Sequence, residues 1–117
     1  MTAASFGHAL DVVTRVRGVR GAMLVSVSDG LVVAEHLMEG IKGPAVAALT
    51  ASLANRLRRA MEGTGVGAGA FWHLQGTEGA LLVVQTASGI LVVAVADAGV
   101  NVGLVRLELR KAAEAVG

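Results

Sequence analysis

From Ala80 to Ala96 the chain runs without a single charged residue. That length approaches the roughly 17 to 25 residues a membrane-spanning helix needs, so the segment leaves few structures open. Its interior decides among them. Gln85-Thr86-Ala87-Ser88-Gly89 stands in the middle, and the flanks are rich in Val and Ile, which favour strands. Two buried strands around a Ser-Gly turn account for the stretch, and a spanning helix does not. A chain that buries such a hairpin needs a sheet to carry it and apolar helices to cover it.

The remaining pattern supplies both. Over Ser5 to Arg17, Phe6, Leu10, Val13 and Val16 fall on one helical face, and Gly18 follows as a stop. The apolar runs Arg20 to Val27 and Leu31 to Leu37 flank Ser28-Asp29-Gly30, a strong hairpin signal because Asp and Gly both tolerate positive φ. After the loop Glu39 to Gly43, Pro44 takes the first position of a helix that continues over Ala45 to Met61 and stops at Gly63. A Gly-rich link leads to a third strand, Ala68 to Gln75, and a Gly76-Thr77-Glu78-Gly79 turn. The hairpin strands Ala80 to Thr86 and Ile90 to Ala96 come next, and a closing helix runs from Val102 to Val116. The expected order is α-β-β-α-β-β-β-α. That is an α+β fold in which an antiparallel five-stranded sheet lies between helices, in one domain covering residues 1–117.

Composition narrows the function. With no Cys among 117 residues there is no disulfide framework, thiol nucleophile or thiolate zinc site. The net charge of +1 is scattered, without a polybasic arm, and the aromatic residues are Phe6, Phe71 and Trp72. Neither the phosphate electrostatics nor the stacking platforms of nucleic-acid binding are present. The stretch Met1 to His8 has no basic or apolar leader pattern, so the chain is expected in the cytoplasm, without membrane insertion.

Tests for chemistry come out negative. Gly65-Val66-Gly67-Ala68-Gly69-Ala70 fits a dinucleotide fingerprint only in letters, because it follows a helix and opens a strand where the phosphate site requires the reverse. No G-x-x-x-x-G-K-[ST] occurs. His8, His36 and His73 lie on different elements with no paired spacing, and G-x-S-x-G is absent. The expectation is a protein with no catalytic residues, no metal and no cofactor.

What remains is surface. The second helix has two apolar faces, one with Val46, Leu49, Leu53, Leu57 and Ala60, the other a smooth strip of Ala47, Ala51 and Ala54. Small residues permit close approach of another backbone, so the strip is either a docking surface or plain helix propensity. On the third strand, adjacent Phe71 and Trp72 must point to opposite sides of the sheet. At a sheet edge, such a strand would expose unpaired backbone groups beside large apolar side chains and would require a cover, commonly another chain.

The ordering and several segments resemble the roadblock/dynein light chain family of small profilin-like domains, including its bacterial MglB-type members. The hairpin Gly21 to Ala34 is similar to the family's first two strands, with a Gly-Ala opening and an Asp-Gly-Leu turn. The Ala-rich helix Val46 to Leu57 resembles its central helix. Ala98 to Arg110, with Asn101-Val102-Gly103-Leu104-Val105-Arg106, looks like its N-x-G-L-V-R stretch, the most specific of the three. The resemblance implies a homodimer in which central helices pack together and third strands pair. Carried over by residue, this puts Ala47, Ala51, Ala54, Arg58, Phe71, Trp72 and His73 at or near the dimer interface. It also implies a non-enzymatic scaffold or regulator of a small Ras-like GTPase.

Such a regulator needs no phosphate loop or metal ligand, because nucleotide and Mg²⁺ sit on the partner. Arg56 and Arg59, on the exposed side of the second helix, are the candidates for contact with an acidic partner surface. The alternative function is a profilin-like sensor holding a small molecule between sheet and helices, and an enzyme is a weaker third.

Overall fold

The computed structural model describes the backbone of residues 3–117 and the side chains from Phe6 onward. Met1 and Thr2, on which part of the expectation about a leader pattern falls, lie outside the described residues. The elements are α1 (Ala3–Thr14), β1 (Val19–Ser26), β2 (Val32–Leu37), α2 (Gly43–Met61), β3 (Phe71–Gln75), β4 (Ala80–Gln85), β5 (Ile90–Ala96) and α3 (Val102–Val116). This is the expected α-β-β-α-β-β-β-α order. The strands form one antiparallel five-stranded sheet in the order β2-β1-β5-β4-β3.

That order explains the uncharged run. β5 and β4 are interior strands, and most of their residues are buried, on both sides of the sheet. On one side Leu82, Val84, Val92 and Ala94 join Leu10, Val13, Val105 and Leu109 of α1 and α3. On the other, Val83, Leu91 and Val93 join Met23 and Val25 of β1 beneath α2. A charge at any of these positions would be desolvated without a partner. The turn between the strands closes through Thr86, whose backbone N–H and hydroxyl both donate to the Ile90 carbonyl at 2.9 Å, and Gly89 takes a φ of +82°.

Local chemistry accounts for several boundaries. α1 ends at Thr14, earlier than the expected Arg17, and the chain then turns through Gly18 at φ +94° while Val16 stays buried. In the β1–β2 loop only Gly30 takes positive φ, at +70°; Asp29 does not. The Asp29 side chain instead accepts from the Leu31 N–H at 3.1 Å, an Asx turn, and the Gly30 N–H donates to the Ser26 carbonyl at 2.9 Å. β3 begins at Phe71, later than the expected Ala68, and the link before it carries Gly65 and Gly67 at positive φ. α3 is capped by Asn101, whose side-chain oxygen accepts from the Leu104 N–H at 3.0 Å.

α2 corrects the reading of the smooth strip. Ala47, Ala51 and Ala54 are fully or almost fully buried against the sheet of their own chain. Their small side chains let the α2 backbone lie close over β1, β2 and β5, and the bulk of that layer comes from Met23, Leu91, Val25, Val83 and Val93 beneath. They therefore offer almost no surface to a partner. The Leu stripe, by contrast, turns away from the core: Leu49 is 48% exposed, and Leu53 and Leu57 are half-buried. No helix of the described residues is long and apolar enough to cross a membrane.

Candidate interaction surface

β3 is an outer strand. Its one sheet neighbour is β4, in a register that sets Phe71 opposite Val84, Trp72 opposite Val83 and His73 opposite Leu82. The other edge of the strand presents unpaired backbone groups. Alternation sends the two aromatic residues to opposite faces, as expected: Phe71 packs with the α1/α3 cluster and Trp72 with the α2 cluster. Both remain half-buried, because each lies at the rim of its layer.

The Trp72 face is the less completely covered. α2 lies over β1, β2 and β5, and further along β3 and β4 the same face carries Leu74, 39% exposed, opposite a half-buried Leu81. Those two residues, with Val95 of β5 and Arg20 of β1, line a surface groove of about 330 Å³. Residues one turn apart on a helix share a flank, so Leu49, Leu53 and Leu57 make a continuous half-exposed flank on α2. Sequence patterning marked both stripes of α2 as apolar; the signal that separates them is side-chain size, since only the Ala strip allows α2 so close to the sheet.

The charged candidates are spread more widely. Arg58 is exposed and bonded to the residue that caps its own helix, Nη1 lying 3.2 Å from Oε1 of Glu62. An exposed pair of that kind contributes little to stability. Arg56 and Arg59 are exposed as expected, and among the described residues neither forms an ion pair. His73 is exposed on the Phe71 side of the sheet, its Nε2 within 3.0 Å of Oε1 of Gln75. The structure thus brings Phe71, Trp72 and His73 together on the open edge, leaves Arg56, Arg58 and Arg59 on the outer C-terminal half of α2, and removes the three alanines from the surface.

A residue pair that patterning missed lies on the opposite face. The Arg106 guanidinium of α3 sits over the Phe71 ring, 5.0 Å from its centroid, a favourable cation–π geometry.

Comparison with known proteins places this geometry. The family model for the Roadblock/LC7 domain matches residues 6–96. An uncharacterised protein of Methanocaldococcus jannaschii, MJ1340, is 33% identical over 102 residues, covering 87% of this chain and 88% of its own length. Among solved structures, Myxococcus xanthus MglB superposes with a TM-score of 0.88 at 20% identity, covering 99% of this chain and 94% of that one. A structure described as MglB with tetrameric arrangement gives a TM-score of 0.84 at 26% identity, covering 99% of this chain and 90% of that one.

Proposed function

The chain belongs to the Roadblock/LC7 domain family, and from that premise we propose that it works as a non-enzymatic homodimeric scaffold that binds a small Ras-like GTPase and modulates its nucleotide cycle or localisation. One observation carries the reading: β3 is an open sheet edge whose half-buried Trp72 adjoins apolar surface that α2 leaves uncovered. Pairing of β3 with β3 of a second copy satisfies the edge and extends the sheet. The Leu49, Leu53 and Leu57 flank of α2 supplies the helix contact to the partner protomer, in place of the alanines. That a solved MglB is arranged as a tetramer supports self-association as a habit of this fold.

In the GTPase reading, Arg56 and Arg59 of the two protomers face an acidic partner surface. They are exposed and without ion-pair partners among the described residues, as a steering surface requires. The sensor alternative has less support, since the layer between sheet and α2 is filled by Met23, Val25, Val83, Leu91 and Val93 under the alanines.

The test has two steps. Light scattering at micromolar concentration should give a dimer mass. Capture of a small GTPase from the source lysate, followed by a GTP hydrolysis assay with and without the scaffold, should then show a bound GTPase whose nucleotide turnover or placement changes. A stable monomer removes the reading at its base, and a dimer that retains no GTPase removes its second half.

A further inference from the structure

We propose that the groove between α3 and the start of β3 is a docking site for an acidic, extended segment of a partner protein, with Arg106 and Arg110 binding its carboxylates. The groove has a volume of about 330 Å³, with Phe71, Val84 and Ala113 among its apolar lining and the two arginines on the α3 side. It opens on the α1/α3 face of the sheet, opposite α2. Because it lies above the sheet plane, it does not consume the β3 edge.

Charge sets the class of partner. Neither Arg106 nor Arg110 forms an ion pair among the described residues. The Arg106 guanidinium is already held 5.0 Å over the Phe71 centroid, so part of the cost of ordering a long side chain has been met before a ligand arrives. Val84 is buried and Phe71 half-buried beneath it, which lowers the local dielectric and strengthens attraction for an anion. A guanidinium fork matches a carboxylate in two parallel hydrogen bonds.

Spacing sets the form of the partner. Arg106 and Arg110 are four residues apart on α3, about 6.0 Å along the axis. Alternate side chains of an extended strand repeat at about 6.6 Å, so carboxylates at alternate positions meet successive arginines within the reach of these flexible side chains. Glu114, one further turn along α3, lines the same groove and repels a third carboxylate, which limits the site to two and fixes where the acidic run ends.

Fluorescence anisotropy on the full chain, with a labelled, end-blocked peptide of alternating Glu and Thr, tests this. Saturable, salt-sensitive binding is expected, with amide shift changes in an NMR titration centred on Phe71, Val84 and Ala113. Arg110→Gln touches no ring and should weaken binding about tenfold, the loss of one charge-assisted contact. Arg106→Gln should do the same, while Arg106→Lys, which keeps the cation over the ring but loses the fork, should fall between. Glu114→Gln should tighten binding, and Arg17→Gln, remote from the groove, should leave it unchanged. The proposal is overturned by no binding, by equal losses in Arg17→Gln and Arg110→Gln, by equal affinity for the Gln-for-Glu peptide, or by displacement with inorganic phosphate at concentrations that match the peptide.

Discussion

The side-chain amide of Asn55 donates to the backbone oxygen of Val27 at 3.3 Å, joining the C-terminal half of α2 to the residue that follows β1. The same amide donates to the Ala51 carbonyl one turn back at 3.1 Å. This is the polar fixture of an otherwise apolar seam. It sets where α2 lies along the sheet, and therefore where the Leu49 flank and the exposed arginines stand relative to β3.

Asn55→Ala should lower stability by about 1 kcal/mol, the usual net worth of one such bond. Urea denaturation checks this. A loss near zero would mean that the alanine seam alone fixes α2.

The two stripes of α2 should respond in opposite ways. Ala51 is 4% exposed, so Ala51→Leu forces α2 off the sheet and should cost about 1–3 kcal/mol by overpacking. Leu49→Ala, on the exposed flank, should stay within about 0.5 kcal/mol. Thermal melts of the two variants side by side decide the assignment of core face and outer face.

Gly30→Ala isolates backbone conformation. Gly30 holds φ +70°, while an added methyl would meet only ordinary contacts, 3.6 Å to the Ala51 Cβ and 3.7 Å to the Ala48 Cα. The expected cost is about 1–2 kcal/mol from the left-handed backbone alone. Gly30→Asn should cost less, since Asn tolerates that region. Equal losses for the two would point to the side chain and not the backbone.

Trp72→Asp should convert the proposed dimer into monomer in sedimentation or light scattering, because an Asp on the paired edge would be desolvated without a partner. Leu49→Asp places a charge on a residue already 48% exposed, so the monomer fold should survive while helix contact between protomers weakens. If both variants remain dimeric with native circular dichroism, the interface lies elsewhere.

Element order and type could be read from periodicity because the signals are local. The uncharged hairpin Ala80 to Ala96, the Asp29-Gly30 turn, Pro44 at the head of α2 and Asn101 ahead of α3 each act over a few residues. Boundaries moved where a non-local contact competed. Val16 stays in the core although α1 has already ended, and Ala70 is held by the Gln85 N–H, which donates to its carbonyl at 3.1 Å, without joining β3. Phe71 and Trp72 had to face opposite sides of the sheet by strand alternation, whatever the tertiary arrangement. That Arg106 would stack on Phe71 could not be read, since the two are brought together only when α3 packs across β4 and β5.

The sequence by itself determined the strands, the helices, their order, the family, and the lack of any recognisable nucleotide or metal motif, because each follows from patterns along the chain. Tertiary structure alone decided which stripe of α2 is core and which strands are edges. Both α2 stripes have helical periodicity, and hydrophobicity alone ranks leucine above alanine for burial. The sheet reverses that ranking, because Met23, Leu91 and three valines already fill the layer and leave room chiefly for small side chains. The edge position of β3 likewise exists only in the order β2-β1-β5-β4-β3, a property of pairing between distant strands.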